Sequence, residues 1–360
     1  MSSYRLHFIF AALVILLSLS AAFAALHSIS ENNSTDPSLA MYEDFNKVFI
    51  RQWKARSGTD VTIKPVRSKS GTPVRVTVDG LDVVTLALSY DPEALEKNKA
   101  WMLPGSQKPV PQNSPYTSTI VFLVRKGNPR KLQGWGDLAR PGIAVITANP
   151  KVSGSGRWSY LAAWGYALKQ SGGDEAAAFE FVKSLFANVK ELDHERPEAI
   201  TAFVERNAGD VLLAWESEAH LLVKERGRDK FEIVTPAMSI LAEPTVNVIT
   251  RANDKNGARE IANAYVDFLY TARAQDIVGK YYYRPRDENA AAKYATQFPP
   301  VDLFNIDEVF GGWKEAQNKH FAYGGVFDQI RGEQRISSAK CRYMQMRKDR
   351  NNLSGPGSLT

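Results

Sequence analysis

The sequence predicts an α/β protein with two lobes, each a mixed doubly wound sheet flanked by helices. Short apolar strand patterns alternate with helical patterns along the chain, joined by short links and without a repeat of fixed period. About 336 residues remain once an amino-terminal export segment is set aside, which is more than one hydrophobic core usually supports. A content of 44% hydrophobic and 23% charged residues is ordinary for a globular protein.

The amino terminus has the pattern of a secretory signal. Arg5 precedes an uncharged run at residues 8–24 that ends in the small-x-small exit Ala22-Phe23-Ala24. We predict cleavage near Ala24 and export of residues 25–360 to the periplasm. A permanent membrane anchor is the alternative, since the run is roughly 17 residues and a spanning helix needs about 20.

Cysteine and histidine usage argues against disulfides and metal sites. Cys341 is the single cysteine, so neither an internal disulfide nor a thiolate cluster is predicted. The five histidines show no metal-binding spacing, and we expect neither metal nor cofactor. They are His7, His27, His194, His220 and His320.

The net charge of +6 is concentrated at the carboxyl terminus. Residues 331–360 contain seven basic and two acidic residues, a net charge of +5, which leaves the rest of the chain near neutral. The composition of this tail is typical of a solvated, disordered extension. We therefore do not predict nucleic-acid binding, although polybasic tails can contact anionic membranes.

The secondary structure is predicted in chain order from periodicity and end signals. Asp36 and Pro37 provide an N-cap and a first helical residue, an aromatic stripe follows, and Gly58 ends that helix. The run at 82–87 is continuously apolar and predicts a buried parallel strand. Further strands are predicted at 61–63, 117–124, 142–147, 210–215, 231–235 and 245–250, and helices at 157–170, 176–186 and 259–269.

The segment 149–158 carries the most informative local pattern. Its Ser153-Gly154-Ser155 lies between a predicted buried strand and a helix, where backbone N–H groups and the helix dipole favour an oxyanion. Ordinary N-capping explains the same residues without a ligand. The segment lacks the P-loop lysine and the glycines of a nucleophile elbow, and an esterase using Ser153 or Ser155 has no positioned histidine.

Several blocks of sequence then indicate a family. They are 115–129, 149–168, 203–216, 240–246, 282–287 and 310–313, and they include the run Gly209-Asp210-Val211-Leu212-Leu213-Ala214-Trp215-Glu216. From about Asp36 to Ile330 the chain resembles the bacterial periplasmic sulfate-binding proteins, the solute-binding components of sulfate/thiosulfate ABC importers. The blocks are long and occur in the same order, so the resemblance is specific.

The resemblance implies the periplasmic binding protein fold, with two lobes joined by two crossing strands and closing on the ligand like a hinge. It implies a signal peptide at 1–24, lobe 1 at 25–118 and 246–330, lobe 2 at 119–245, and a basic tail at 331–360. It also implies a monomer that is not an enzyme, binds sulfate and delivers it to a membrane permease.

The resemblance also implies a set of ligand-binding residues that offer donors to a fully ionised anion. Without it, Trp215 after a buried strand is more simply a core aromatic. Asp36 corresponds to an aspartate that orients the site, and Arg196 stands where the family has a backbone donor. The implied residues are Ser70, Ser153, Gly154, Ser155, Trp215, Arg196 and Asp36.

Two loops depart from the family pattern and leave alternatives open. The surroundings of Ser70 alternate like a strand and contain Pro73, which removes a donor. Arg196 is flanked by acidic residues and Pro197, so its guanidinium either reaches the anion or the loop has lost its role. Thiosulfate, molybdate or another oxyanion, and a paralogue that keeps the fold without the ligand, remain alternatives to sulfate.

Overall fold

The structure, a computed structural model, describes residues 37–66, 75–78, 81–86, 113–190, 192, 196–249 and 256–332. The predicted signal segment, the basic tail and the candidate residues Asp36 and Ser70 lie outside these residues. Two four-stranded sheets form the centres of two lobes.

The first sheet is antiparallel and has the strand order β1-β2-β3-β10. Its strands are β1 (Ile63–Val66), β2 (Arg75–Val78), β3 (Leu81–Leu86) and β10 (Thr245–Ile249). The prediction of a parallel strand at 82–87 is wrong, because β3 pairs antiparallel with both neighbours. Only a two-residue link joins β2 to β3, and strands joined so closely pair antiparallel.

Helix α1 (Pro37–Ser57) carries the predicted aromatic stripe. Phe45 and Phe49 are buried against Phe268 of helix α7 (Asn256–Phe268), with ring centroids 6.3 and 5.6 Å apart. Proline at the first helical position and Gly58 after the last residue, at a left-handed φ of 72°, explain where this helix begins and ends.

The second sheet is mixed, with the order β6-β7-β5-β8. Strand β6 (Val145–Ile146) runs parallel to β7 (Val211–Trp215), whereas β5 (Ile120–Arg125) is antiparallel to β7 and to β8 (Phe231–Val234). Residues 120–124 are fully buried, and alternate side chains of β5 join different hydrophobic clusters on the two faces of the sheet. Both faces are therefore covered, which explains the unbroken apolar run.

Five helices lie around this sheet. Helix α2 (Trp135–Leu138) is a single turn that precedes β6. Trp158 and Leu161 of helix α3 (Gly154–Gln170) share a hydrophobic cluster with Ile120, and helix α4 (Glu175–Ala187) packs on α3. Helices α5 (Arg196–Val204) and α6 (Glu216–Arg226) contribute Phe203 and Leu222 to the opposite cluster.

Two chain segments cross between the lobes side by side. The first comprises β4 (Tyr116–Thr117) and the start of β5, and the second leads from β9 (Met238–Ile240) into β10. Ser118 and Ala242 exchange backbone hydrogen bonds of 2.9 Å in both directions at the crossing point. This is the predicted two-lobed arrangement with two crossing strands.

The carboxyl-terminal part of the chain contacts elements of both lobes. Helix α8 (Ala272–Lys280) contacts α1, and β11 (Arg284–Pro285) pairs with β4 before helix α9 (Glu288–Lys293). Strand β12 (Asp302–Phe304) then runs parallel to β9. The last helices are α10 (Ile306–Phe310), α11 (Trp313–Ala316) and α12 (Val326–Ile330), and a π-helical turn Gln317–Phe321 follows α11.

Residues 302–330 pack against the second lobe. Trp313 contacts Trp158 with ring centroids 4.6 Å apart, and Phe327 contacts Tyr160 and Phe186 at 5.5 and 5.2 Å. The sequence had assigned 246–330 as a whole to lobe 1. That assignment stays a prediction; strand β12 pairs with β9, which leads out of the second sheet, and carries the chain back beside α3.

Candidate functional site

The loop at 149–155 connects β6 to the amino terminus of α3. The Asn149 side chain accepts a hydrogen bond from the amide of Lys151 at 2.9 Å, and the Asn149 carbonyl accepts one from the amide of Ser153 at 2.9 Å. The Ser153 hydroxyl accepts from the amide of Gly156 at 3.3 Å and so caps the helix. The predicted N-cap is therefore present.

The first turn of α3 is suited to an anion. Its amino-terminal residues are Gly154, Ser155 and Gly156, without an acidic side chain. Backbone N–H groups in a first turn have no intrahelical acceptor, and the helix dipole makes the potential there positive. Gly156 is required sterically, because a Cβ atom there would lie 2.5 Å from the carbonyl oxygen of Ala148.

Trp215 brings a further donor to the same region. It ends β7 and occupies the N-cap of α6, and its ring meets that of Trp158 in α3 edge to face, with centroids 6.3 Å apart. Its indole N–H is buried and has no hydrogen-bond partner among the residues that the structure describes. Because a buried donor without an acceptor costs about 1–3 kcal/mol, this N–H is suited to a polar ligand.

Arg196 lies at the amino terminus of α5, next to this group. Its guanidinium forms an ion pair with Glu218 at 2.7 Å, and only 3% of the Glu218 side chain is exposed. Glu218 belongs to the first turn of α6, directly after Trp215. The structure thus brings Arg196 close to the candidate donors and directs its charge to a carboxylate of the protein.

Two more buried carboxylates near the lobe crossing are paired with arginine. Glu216 is fully buried and accepts two hydrogen bonds from Arg284, at 2.6 and 2.8 Å. Burial raises the pKa of Glu216, and the hydrogen bonds from Arg284 oppose that rise. Glu243 pairs with Arg286 at 2.5 Å. The carboxylates around the site are therefore neutralised by the protein.

Comparisons with known proteins show the family of this chain. A family model described as bacterial extracellular solute-binding protein matches residues 40–284. The chain is 51% identical over 306 residues to the sulfate-binding protein of Escherichia coli K12, covering 83% of this chain and 92% of that protein. The chain belongs to the bacterial extracellular solute-binding proteins.

Two other relatives of this solute-binding protein differ in their ligands. The thiosulfate-binding protein of Pseudomonas aeruginosa PAO1 is 43% identical over 302 residues, covering 83% of this chain and 91% of that protein. The solved sulfate-binding protein SubI from Mycobacterium tuberculosis H37Rv superposes with a TM-score of 0.56 at 32% identity, covering 66% of this chain and 80% of that one. The predicted family and the two-lobed fold are thereby confirmed.

The candidate residues of this solute-binding protein fall into two groups. In the first group, Ser153, Gly154 and Ser155 lie at the start of α3, where the ring of Trp158 contacts that of Trp215. Arg196 belongs to the same group through its ion pair with Glu218, in the first turn of the helix that Trp215 caps. Asp36 and Ser70 belong to the part of the chain that is not described. Within the described ranges, acidic, histidine and cysteine side chains form no group able to hold a metal ion. No helix in those ranges has the length and hydrophobicity needed to cross a membrane.

No local sequence pattern predicts the ion pairs that surround the site. Glu216 and Glu218 directly follow Trp215, but their partners Arg284 and Arg196 come from other segments. Lys151 lies in the middle of the loop at 149–155, called the anion loop below, and pairs with Asp328 near the end of the described chain. The one local pattern is a pair of glutamates in the first turn of a helix. Such glutamates ordinarily indicate a favourable interaction of acidic side chains with the helix dipole.

Proposed function

We propose that this protein is the exported solute-binding subunit of an ABC importer and that it binds sulfate between its lobes without chemical reaction. The observation that carries the proposal is the buried indole N–H of Trp215, which has no acceptor among the described residues and whose ring contacts Trp158 of α3. In the proposed complex the anion receives hydrogen bonds from Trp215, Ser153, Gly154 and Ser155. Asp36 and Ser70 are the proposed contribution of the first lobe.

The choice of sulfate follows from the charge of the groups at the site and from the protonation state of the anion. The described cations of the two helix termini are engaged within the protein: Lys151 with Asp328 and Arg196 with Glu218, while Arg157 donates to the carbonyl of Pro150 at 3.0 Å. The site therefore offers neutral donors. A fully ionised sulfate needs only donors, whereas phosphate near neutral pH carries a proton that requires an acceptor.

Relatedness and Trp215 favour sulfate over thiosulfate. The chain shares 51% identity with a sulfate-binding protein and 43% with a thiosulfate-binding protein. A catalytic role for Ser153 is not supported, because its hydroxyl caps α3. Of the described histidines, His320 bonds to Tyr160 and His220 stacks on Tyr282. The proposed partner is the membrane permease, after cleavage near Ala24.

Titration of purified, sulfate-free protein tests the proposal. Tryptophan fluorescence or calorimetry is followed with sulfate, thiosulfate, phosphate and molybdate, and we expect the tightest binding with sulfate. Trp215→Phe should weaken sulfate binding by about 1.5–3 kcal/mol, the scale of a hydrogen bond to a charged group. Its thermal stability without anion should change little, because the substitution removes a donor that has no partner.

Trp135→Phe is the matched control. Trp135 is also a fully buried tryptophan of the second lobe, but its indole N–H donates to the carbonyl of Met238 at 2.9 Å. This variant should lose thermal stability and keep its sulfate affinity. A folded protein that binds none of the four anions contradicts the proposed function, and unchanged affinity in Trp215→Phe contradicts the proposed site.

A further inference from the structure

Lys151 connects the anion loop to the carboxyl-terminal part of the chain. Its ammonium lies 2.7 Å from the Asp328 carboxylate and donates to the carbonyl oxygens of Phe321 and Ala322 at 3.1 and 3.4 Å. The Lys151 side chain is 29% exposed and the Asp328 side chain 5%. Lys151 therefore points away from the candidate donors and into the 317–330 segment.

Asp328 is fixed on its own side of this contact. One carboxylate oxygen accepts a hydrogen bond from the amide of Gly324 at 2.7 Å. The other oxygen is buried, and among the described residues its neighbour is the Lys151 ammonium, in the geometry of an ion pair. The segment that carries Asp328 is anchored by Phe327, whose ring packs against Tyr160 of α3 at 5.5 Å. A rigid part of the second lobe thus holds the carboxylate.

The loop that carries Lys151 is also the loop that presents the candidate donors. Ser153 follows Lys151 by two residues, and Arg157 binds the loop from the helix side by donating to the carbonyls of Pro150 and Lys151 at 3.0 and 3.4 Å. Val152, between Lys151 and Ser153, is 56% exposed and provides little packing. The outer side of the loop is therefore held mainly through the Lys151 side chain.

We propose that Lys151 is a positioning residue: its ion pair with Asp328 holds the 149–155 loop so that the Ser153, Gly154 and Ser155 donors converge on one anion. This inference rests on the proposed function for the identity of that anion. The ion pair also neutralises the lysine, so the loop binds through neutral donors. A shift in this loop of even part of an ångström separates donors that must act together, since hydrogen bonds weaken steeply with distance and angle.

Three variants separate positioning from simple stabilisation: Lys151→Met, Asp328→Asn and the double variant. Lys151→Met leaves the buried Asp328 carboxylate without its partner, and Asp328→Asn leaves the partly buried Lys151 ammonium with carbonyl acceptors alone, so each should lower the melting temperature. The double change removes both charges and should restore much of it. We expect the sulfate dissociation constant to rise at least tenfold in all three variants, because each loses the ion pair that holds the loop. The measurements are calorimetric titration and thermal unfolding without anion.

The ion pair of Lys169 with Glu308 is the matched control. It also joins α3 to the carboxyl-terminal segment, at 2.9 Å, but at the far end of the helix. Lys169→Met and Glu308→Gln should leave the dissociation constant within twofold of the wild-type value. A double Lys151/Asp328 variant that recovers both stability and affinity would show that the ion pair only stabilises the fold and would overturn the proposal. So would single variants with wild-type affinity.

Hydrogen exchange tests the same inference without sulfate. The amides of residues 152–156 should exchange faster in the Lys151→Met/Asp328→Asn protein than in the wild type, while amides of β5 remain protected. Unchanged exchange in the loop would contradict the positioning role. Failure of the wild-type protein to bind sulfate would instead contradict the proposed function, and the exchange result would still decide whether Lys151 orders the loop.

Discussion

Helices α3 and α6 both begin at the candidate site, and their amino termini are built differently. The first turn of α3 consists of glycine and serine, its N-cap is a serine hydroxyl, and acidic side chains are absent. Helix α6 begins at Trp215, which makes no side-chain cap, and carries Glu216 and Glu218 in its first turn. Both glutamates are buried and paired with arginines.

This difference indicates that the two helices contribute differently to anion binding. The positive end of the α6 dipole already faces two carboxylates of the protein, so a further negative charge gains little there. The first turn of α3 has no carboxylate of its own, so no acidic residue of that turn neutralises its dipole. We infer that α3 supplies the favourable potential, while α6 supplies one neutral donor, the indole of Trp215.

The largest effect on stability is expected from Glu216→Gln, which removes one of the two paired carboxylates in the first turn of α6. Arg284, with a side chain only 17% exposed, would keep its charge and lose the carboxylate that accepts two of its hydrogen bonds, keeping only the one to the carbonyl of Pro299. Breaking a buried ion pair from one side costs about 3–5 kcal/mol, which urea unfolding measures. Sulfate affinity should change far less than stability.

Two variants control for the Glu216 result. Glu205→Gln removes an exposed ion pair with Arg226, whose atoms are 3.9 Å apart, and should cost at most about 1 kcal/mol. Glu216→Gln combined with Arg284→Met removes both buried charges and should recover much of the lost stability. A Glu216→Gln protein as stable as the wild type would mean that the pair contributes little to the α6 terminus.

The comparison also shows which features could be predicted from the sequence. The stripe of α1, the apolar run of β5 and the serine that caps α3 are local patterns, and all three appear in the structure. The direction of β3 was predicted wrongly, because a continuous apolar run reports burial and not the direction of the neighbouring strand. Orientation was set by the short link to β2.

Features that depend on distant residues could not be predicted. Lys151 pairs with Asp328 and Glu216 with Arg284, and neither spacing has a local signature. The placement of 302–330 beside α3 follows from the pairing of β12 with β9, which periodicity does not report. Trp215 was predicted as a donor only through family resemblance, since its position after a buried strand by itself favours a core aromatic.

A second prediction concerns the buried histidine that contacts α3, His320, and the pH dependence of stability. His320 is 1% exposed, accepts or donates a 2.9 Å hydrogen bond with Tyr160, and contacts the rings of Trp164 and Phe310. Burial, with a smaller contribution from Lys319, lowers the pKa of His320 from 6.5 to about 3. The unfolded chain therefore binds more protons than the folded protein between these two values.

The protein should therefore become less stable as the pH falls. As pH falls below about 6.5, protonation of His320 in the unfolded state lowers the free energy of unfolding, by roughly 3 kcal/mol at pH 4. Urea unfolding from pH 7 to pH 4 measures this loss. His320→Phe in a Tyr160→Phe background, compared with Tyr160→Phe alone, should flatten the dependence. An equal slope in the two proteins would mean that His320 does not carry it.

The smallest effect is expected from two alanine substitutions within α3. A Cβ atom at Gly156 would lie 2.5 Å from the Ala148 carbonyl oxygen, whereas one at Gly165 would lie 2.3 Å from the ring of Phe304. Both changes overpack the interior and should cost about 1–3 kcal/mol in unfolding free energy. Similar stability losses make the pair a controlled test of the anion loop.

Binding should distinguish the two alanine variants. Gly156→Ala contacts the backbone of the loop itself, so the loop must move and the sulfate dissociation constant should rise at least tenfold. Gly165→Ala contacts a side chain of β12, two helical turns or more from Ser155, and should keep its affinity. Equal affinities in the two proteins would mean that the α3 terminus tolerates displacement, and the contrast drawn between α3 and α6 would then lose its functional basis.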